Sequence, residues 1–438
     1  MVKSIGVGLL GLGTVGAGVS NIIQTPEGRH PLVSEIELVR VAVRDLQRKR
    51  GATISPKLLT VNPIDVIDDP SVDVVVEVMG GIEPARSLIL RAIQKGKSVV
   101  TANKAVIARH GEEIAAAAAE AGVYVLIEAA VGGGIPIIEP LKQSLGGNRI
   151  QKVSGIINGT TNYILSRIEK EGAAYREVLK EAQDLGYAES DPAADVEGLD
   201  AADKIAILSG LAFGGLINRE SIPTQGITNL NIRDVEYAKK LGYGVKLLAV
   251  TERIDKSNDS QSSLPLAVWV QPTLVPKEHP LAEVNGVNNA IFVEGDPIGE
   301  VMFYGPGAGA GPTASAVVAD ILNIAGISKV GSKNKSLDPL LEASSWRKCH
   351  LVEPQRIIQK HYLRIKVEDS PGVIGQIGSV FGQNGVSIQS IVQFDASEAG
   401  AEIVVITHAV AQGQVKASLD TIQAFKTVKG LSAQMVCI

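Results

Sequence analysis

Short apolar runs alternate with helix-like segments through the first 130 residues of the chain. The runs are rich in Val and Ile, which is typical of strands buried on both faces of a parallel sheet. They are the predicted strands at 4–10, 37–43, 72–79, 98–102 and 123–128. We therefore predict an α/β fold in which residues 1–130 form a Rossmann-type, doubly wound nucleotide domain, with ligands at the carboxyl ends of its strands.

From residue 131 the pattern becomes mixed, with long predicted strands at 245–253 and 264–270. Residues 131–304 are predicted to be an α+β substrate-binding and dimerisation domain. A glycine-rich run and a helix at about 305–328 are expected to return to the nucleotide domain and complete it. The polar, proline-punctuated segment 329–360 is predicted to be a linker.

Residues 361–438 are predicted to be a separate small domain. The order is βαββα with a short final strand, which is ferredoxin-like. The elements are a strand at 362–367, a helix that ends at Asn384-Gly385, strands at 386–394 and 401–408, and a helix at 411–425. A segment of this size with no evident acid/base pair favours a regulatory role over a catalytic one.

The first predicted strand runs directly into a GxGxxG motif that opens a helix. In that setting the first glycine permits the tight turn, the second lets the backbone approach a pyrophosphate, and the third lets the helix pack closely. The helix N-terminus then attracts the phosphates. The predicted dinucleotide contacts are Gly11, Gly13, Thr14, Val15 and Gly16.

Basic residues follow the second predicted strand, which ends at Arg44-Asp45 with Arg48, Lys49 and Arg50 close behind. An acid at this point usually binds the ribose 2′-hydroxyl of NAD, whereas a basic residue suits the 2′-phosphate of NADP. Arg44 therefore favours NADPH, and Asp45 leaves NADH possible. The basic run can also be read as the solvated start of a helix.

The segment 186–211 joins an acidic, turn-rich loop to an apolar helix that carries a lysine. Asp200 and Lys204 are four residues apart and share one helix face, and the apolar residues that follow place Lys204 on the buried stripe. Burying an ammonium is costly unless it is paired. Lys204 is therefore a candidate acid/base, with Glu189 and Asp200 as candidate substrate ligands. The alternative is an ordinary salt bridge within the helix.

Composition and charge narrow the class of protein. The net charge of −5 gives no electrostatic argument for nucleic acid or an anionic membrane. Cys349 and Cys437 form neither a disulfide framework nor a metal spacing, and the six histidines are scattered. The sequence shows no export signal and no apolar run approaching ~20 residues. These features predict a cytoplasmic protein that binds neither nucleic acid nor membrane.

Six sequence motifs occur in an order that is specific to one enzyme family. They are LLGLGTVGAGV at 9–19, VTANKAVIA at 100–108, EAAVGGGIPII at 128–138, GIINGTTNYIL at 155–165, the stretch 186–208, and GPGAGAGPTASAVV at 305–318. Over essentially its whole length the chain resembles bacterial homoserine dehydrogenases with a C-terminal ACT domain. The segments DSPGVIGQI and FGQNGVSI in the tail are similar to the ligand-binding edge of ACT domains.

The resemblance implies the reversible NAD(P)H-dependent interconversion of L-aspartate 4-semialdehyde and L-homoserine. In the family, the lysine that matches Lys204 donates a proton to the aldehyde oxygen, and the acids matching Glu189 and Asp200 hold the substrate amino group. The lysine matching Lys104 meets both cofactor and substrate. Gly186 and Gly307 are carried over as cofactor contacts, although each glycine can also serve only a turn or close helix packing.

The family also binds a sodium-like monovalent cation, Na⁺ or K⁺, beside the active site. The matching ligands are the Glu128 carboxylate and the carbonyls of Val131, Gly133 and Ile135. Hard cations take oxygen ligands, and a glycine-rich turn can direct alternate carbonyls inwards. The alternative reading of this glycine run is an interdomain hinge.

For the tail we predict feedback by an amino-acid end product, most readily threonine, bound near Asp369, Gly372 and Asn384 at an ACT–ACT contact. Such pairing makes the enzyme a homodimer or homotetramer. The tail could instead serve only oligomerisation. Two other readings of the whole chain stay open: a Rossmann reductase of another small amino-acid aldehyde or imine, and a non-catalytic sensor of NADPH and an amino acid.

Overall fold

A computed structural model describes residues 4–48, 51, 54–254, 263–330, 348–397 and 400–438. The chain folds into two compact units, each assembled from three segments. The first unit comprises 1–153, 203–221 and 289–349, and the second comprises 154–202, 222–288 and 350–438. Residues 331–347, which make up most of the predicted linker, lie outside the described residues.

The first unit begins with a parallel α/β sheet. Its elements are β1 (Ile5–Leu10), α1 (Thr14–Gln24), β2 (Ile36–Ala42), β3 (Leu59–Thr60), α2 (Pro63–Ile67), β4 (Val74–Glu77), α3 (Ala85–Gln94), β5 (Ser98–Thr101), α4 (Lys104–Ala121) and β6 (Val125–Leu126). The strand order is β3-β2-β1-β4-β5-β6 with parallel pairing, which confirms the predicted doubly wound fold. Strand β6 is shorter than predicted because a 3-10 turn begins at Glu128.

The described residues beyond β6 form further helices and strands. In order they are β7 (Arg149–Ile156), α5 (Gly159–Glu171), α6 (Tyr175–Asp184), α7 (Ala193–Val196), α8 (Leu199–Phe213), α9 (Ile232–Lys240), β8 (Tyr243–Arg253), β9 (Leu264–Pro276), β10 (Asn288–Asp296), β11 (Gly299–Pro306), α10 (Ala310–Val330), β12 (Cys349–Leu351), β13 (Ile358–Val367), α11 (Val373–Gln383), β14 (Ile388–Ser397), β15 (Gly400–Thr407), β16 (Val410–Ala411), α12 (Gln412–Gln423) and β17 (Val428–Cys437).

Helix α10 packs against the nucleotide-binding part of the first unit. Its Ala314, Val317 and Ile321 belong to the same buried cluster as β1, β2 and β4. A Cβ at Gly18 of α1 would lie 2.8 Å from the Ala314 Cβ, so the absence of a side chain there permits the close approach of α1 and α10.

Helix α10 also corrects our expectation about apolar segments. Residues 310–328 form a 19-residue stretch that is long and apolar enough to cross a membrane by length and composition. The core helix of a globular protein passes the same test, and the packing of α10 in the core of the first unit explains its composition.

The second unit contains a sheet in the order β8-β9-β17-β13-β15-β14. Within 361–438 the order β17-β13-β15-β14, with α11 and α12 packed over a common core, gives the predicted ferredoxin-like ACT fold. The final strand is ten residues long rather than short, because β17 pairs with β13 along most of its length. Its end also pairs in parallel with β9 through Val436 and Thr273, so the tail shares one compact unit with 222–288.

Candidate active site

The glycine loop after β1 has the geometry that each predicted glycine role requires. Gly11 has φ +106°, and a Cβ there would lie 2.9 Å from the Val78 carbonyl oxygen. A Cβ at Gly13 would meet no atom within 4 Å, so this face of the loop is open to a ligand. A Cβ at Gly16 would overlap the Gly11 carbonyl, so Gly16 lets α1 pack directly on the loop. Thr14 and Val15 form the first turn of α1, whose free N–H groups point beyond the helix end.

A cavity of about 670 Å³ opens at the carboxyl ends of β1, β2 and β4. This volume lies within the usual range for cofactor and ligand pockets. Its described lining includes Gly11, Gly13, Arg44, Asp45 and Arg48. The Asp45 carboxylate accepts a hydrogen bond from the Gln47 amide at 2.8 Å, which fixes the turn after β2. Lys49 and Arg50, the other members of the predicted basic run, lie outside the described residues.

Lys104 is the first residue of α4, and a buried polar network holds the start of that helix. The Asn103 side chain caps α4 by accepting from the Val106 amide, and its Nδ2 donates to the Gly81 carbonyl in the cavity wall at 2.7 Å. The Asn103 amide in turn donates to Thr101 Oγ1. The position of Lys104 is thereby tied to the wall of the 670 Å³ cavity.

Glu77 supports this arrangement from the end of β4. Its side chain is fully buried and accepts from Thr101 Oγ1 and from the Met79 amide, both at 2.7 Å. Sequence reasoning missed Glu77 and Asn103, although a carboxylate at the end of an apolar strand is a signal that could have drawn attention to Glu77.

Asp200 and Lys204 both lie on α8, one helical turn apart, and both are buried. The Asn158 Nδ2 donates to Asp200 Oδ2 at 3.0 Å and to Asp195 Oδ1 at 2.7 Å. Two carboxylates therefore converge on one amide, and such a pair suits an ammonium group. The sequence analysis gave Asn158 no role in the site and missed Asp195.

Thr160 completes this acidic cluster. Its hydroxyl lies 3.1 Å from Asp195 Oδ2 and 2.7 Å from the Tyr187 carbonyl oxygen. Glu189, the other predicted substrate ligand, is exposed on the loop after α6, where Gln183 Nε2 donates to its backbone carbonyl at 3.0 Å. Gly186 adopts φ +75° just after the same helix, which is a usual glycine position in a helix-terminating turn.

The Glu128 carboxylate closes the loop that carries the predicted cation ligands. It accepts backbone amides from Ile137, Ile138 and Glu139 at 2.6, 3.0 and 2.8 Å. Burial raises its pKa, although these three hydrogen bonds oppose the shift. A carboxylate has about four lone-pair positions, so three bonds leave one available to a cation.

The loop between Glu128 and Ile137 contains two successive left-handed glycines, Gly132 and Gly133. The Ile135 amide donates to the Gly132 carbonyl at 2.9 Å, which closes a tight turn. Val131 and Ile135 are buried beside that turn. A turn of this kind can direct successive carbonyls towards a cation.

Asp320 of α10 adds a second buried acid beside this loop. Its Oδ2 accepts the Glu128 amide at 2.9 Å, and its Oδ1 has no hydrogen-bond partner among the described residues. Burial raises the pKa of Asp320 well above its usual range. An unsatisfied buried carboxylate oxygen beside a buried glutamate fits a monovalent cation in this loop.

Gly307 is buried against the same loop. A Cβ there would overlap the Asn289 side chain, and a Cβ at Gly133 would overlap the Gly307 backbone. Gly307 and Lys104 are not among the described residues that line the 670 Å³ cavity. The geometry gives Gly307 a packing role, and its cofactor contact stays a prediction.

The three predicted effector residues lie at the two ends of α11. Gly372, with φ +89°, precedes the helix, and Gln393 Nε2 donates to Asp369 Oδ1 at 3.0 Å nearby. Asn384 ends the helix, and its Nδ2 donates to the Val380 carbonyl. An eleven-residue helix is about 16 Å long. One amino acid therefore cannot contact both ends of α11 within a protomer.

Comparisons with known proteins agree along the whole chain. Sequence profiles match the homoserine dehydrogenase NAD-binding domain at 11–128, homoserine dehydrogenase at 136–322 and the ACT domain at 361–426. A homoserine dehydrogenase of Synechocystis sp. is 54% identical over 97% of this chain and 98% of its own length.

Solved structures give the same result. The crystal structure of a homoserine dehydrogenase from Thiobacillus denitrificans aligns with TM-score 0.89 and 41% identity, covering 100% of this chain and 98% of that one. A hyperthermophilic archaeal homoserine dehydrogenase in complex with NADPH aligns with TM-score 0.60 and 26% identity over 74% of this chain and 98% of that one. The chain thus belongs to the homoserine dehydrogenase family, whose members are NAD(P)-dependent oxidoreductases acting on a CH–OH group.

Proposed function

We propose that the protein catalyses the reversible reduction of L-aspartate 4-semialdehyde to L-homoserine with NADPH as the preferred cofactor, under feedback control by threonine. The observation that carries the proposal is the acidic cluster of Asp195 and Asp200 around Asn158, with Lys204 one turn further along α8. An amino-acid aldehyde has both features that this arrangement serves: an ammonium to bind and a carbonyl oxygen to protonate.

The cofactor part of the proposal rests on the cavity beside the glycine loop. The open face of Gly13 and the first turn of α1 suit the pyrophosphate. Arg44 and Arg48 line the same cavity beyond β2, where a 2′-phosphate would bind. The nicotinamide ring, when bound, supplies the hydride. An archaeal homoserine dehydrogenase similar to this chain has been solved in complex with NADPH, the cofactor proposed here.

Hydride addition to the aldehyde carbon places negative charge on its oxygen, which must receive a proton as that charge forms. We assign the proton donation to Lys204, with Lys104 orienting the substrate against the cofactor. Asp200 and Glu189 hold the substrate amino group. In the reverse direction neutral Lys204 accepts the proton from the homoserine hydroxyl.

We further assign Glu128 and the carbonyls of Val131, Gly133 and Ile135 to a Na⁺ or K⁺ ion. The unsatisfied Asp320 Oδ1 and the raised pKa of Glu128 support a cation here, because a positive charge stabilises both buried carboxylates. The ion would hold the glycine turn and the loop packed on it in one conformation.

The effector is assigned to the ends of α11 in paired ACT domains. Asp369 and Gly372 from one protomer and Asn384 from its partner can then surround one threonine, in a homodimer or homotetramer. The length of α11 supports this proposal, because it separates the two groups within a single chain.

The test is NADPH oxidation by the purified chain with L-aspartate 4-semialdehyde, in sodium or potassium buffer, with and without threonine. We expect turnover that threonine lowers. If threonine at millimolar concentration leaves turnover unchanged, threonine is refuted as the effector, and the proposed reaction still stands. If the folded protein shows no turnover with either NADPH or NADH, L-aspartate 4-semialdehyde is refuted as the substrate.

A further inference from the structure

The guanidinium of Arg109 joins the two helices that carry the proposed catalytic lysines. Its Nη1 donates to the Ala105 carbonyl at 3.3 Å and to Asp203 Oδ1 at 3.1 Å. Ala105 directly follows Lys104 on α4, and Asp203 directly precedes Lys204 on α8. One side chain therefore connects the backbone beside the first lysine to the residue beside the second.

Asp203 is a buried anchor for this connection. The residue is 7% exposed, and its Oδ1 also accepts from Arg219 Nε at 2.6 Å. Arg109 Nε lies 3.2 Å from Glu220 Oε1, so the short turn after α8 joins the same cluster. Two guanidiniums and two carboxylates balance in charge, and charge-assisted hydrogen bonds of this kind hold geometry closely.

The apolar contact between α4 and α8 is not completely filled. A cavity of about 80 Å³ is lined by both helices, among others by Ile107, Gly111 and Ala115 of α4 and by Ile207, Gly210 and Leu211 of α8. Small residues on both helices leave this space unfilled. The Arg109–Asp203 contact therefore supplies a polar restraint between the two helices beside apolar packing that is incomplete.

We propose that Arg109 and Asp203 are positioning residues, which hold Lys104 and Lys204 at the separation that hydride and proton transfer require. The inference rests on the proposed roles of these two lysines. It requires that loosening the Arg109–Asp203 contact slows the chemical step while substrate and cofactor still bind, since neither residue is assigned a contact with them.

The test is Arg109→Gln, because the Arg109 side chain is 27% exposed and the variant is expected to fold. We expect kcat to fall about 10- to 100-fold, the usual cost of displacing a catalytic group by about 1 Å, with both KM values within about threefold. With cofactor deuterated at nicotinamide C4, the primary isotope effect on kcat rises, because hydride transfer becomes more rate-limiting. Arg109→Lys recovers part of kcat, since an ammonium still donates to Asp203.

Glu113→Gln is the matched control. Glu113 also lies on α4 and pairs with Arg86 of α3 at 2.6 Å, so its loss removes a comparable ion pair from the same helix. We expect its kcat to stay within about twofold of the parent, as for a surface pair. Asp203→Asn combined with Arg109→Gln costs little more than the worse single variant, because either single variant already weakens the Arg109–Asp203 contact.

Folded Arg109→Gln with unchanged kcat, or with kcat and KM altered together and no change in isotope effect, would overturn the inference. Failure of the proposed function gives a different result, because the parent protein itself would then show no turnover.

Discussion

Arg364 forms a two-pronged buried ion pair with Asp234, 130 residues away in the chain. The Arg364 Nε and Nη2 donate to the two Asp234 oxygens at 2.7 and 3.0 Å, and Nη1 donates to Glu402 at 2.6 Å. Tyr237 donates to the other Glu402 oxygen. Burial by itself disfavours the charged guanidinium, but the two carboxylates raise its pKa above the usual value. The network joins helix α9 to the ACT sheet within the second unit.

This network gives a prediction for stability. Asp234→Asn leaves a buried guanidinium short of one negative charge, and removal of one partner from a buried pair usually costs about 3–5 kcal/mol. We expect a loss of that order in the free energy of unfolding, measured by urea denaturation. Asp68→Asn is the control, because Asp68 pairs with Arg91 on the surface, where a pair contributes about 1 kcal/mol or less. Equal losses in the two variants would contradict the prediction.

The burial of the His361 side chain leads to a prediction about how the stability of the fold changes with pH. The residue is 1% exposed on β13, and burial lowers its pKa to about 4. In the unfolded chain the imidazole has a pKa of about 6.5, so between about pH 6.5 and pH 4 the unfolded chain binds a proton at this residue and the folded chain does not. Stability is therefore full above pH 6.5 and falls as the pH drops towards 4, by about 2 kcal/mol at pH 5 from this group.

His361→Phe keeps a ring of similar size and removes this titration. We expect the decline in urea midpoint between pH 8 and pH 5 to be smaller in the variant than in the parent. Parallel declines would show that His361 does not contribute to the acid sensitivity of the fold.

Arg44→Ala tests the cofactor preference. A hydrogen bond to a charged group contributes about 1.5–3 kcal/mol, so we expect KM for NADPH to rise about 10- to 100-fold and KM for NADH to change little. The measurement is initial rate against the concentration of each cofactor. Arg29→Ala is the control, because Arg29 donates to Thr25 and does not line the cavity. Equal effects of Arg44→Ala on both cofactors would remove the argument for the 2′-phosphate.

Lys204→Ala tests the proton donor. The usual contribution of a placed acid/base predicts a fall in kcat of about 10²–10⁴. Lys97→Met is the control for a buried lysine, since Lys97 donates to the Asp69 and Val72 carbonyls and has no assigned role in catalysis. We expect that control to lose stability and to keep kcat. A loss of tenfold or less in Lys204→Ala would make Lys204 structural.

Glu128→Gln tests the cation loop. An amide offers one acceptor oxygen where the carboxylate accepts three backbone amides, so we expect unfolding to become easier by about 2 kcal/mol or more. In the parent, Na⁺ or K⁺ should raise the thermal midpoint relative to tetramethylammonium at equal ionic strength, because the ion binds only the folded loop. The variant loses that increment. A parent midpoint that is independent of the cation would refute the ion site.

The sequence alone determined the parallel sheet, the glycine loop and the ACT fold. These features depend on local sequence patterns, each of which determines backbone conformation over a few residues. The patterns are runs of Val and Ile, the spacing of Gly11, Gly13 and Gly16, and alternating apolar positions. The sequence also placed Asp200 and Lys204 on one helix, since their spacing matches a helical turn.

Which distant polar groups meet depends on how the helices and strands pack in the folded chain. The Asn158 side chain donates to both Asp195 and Asp200. Arg109 donates to Asp203, 94 residues away in the chain, and Arg364 donates to Asp234. Charged residues are common along the chain, and no local pattern states which acid a given arginine will face. That choice depends on how helices and strands pack, because a buried charge is tolerated only where the fold supplies its partner.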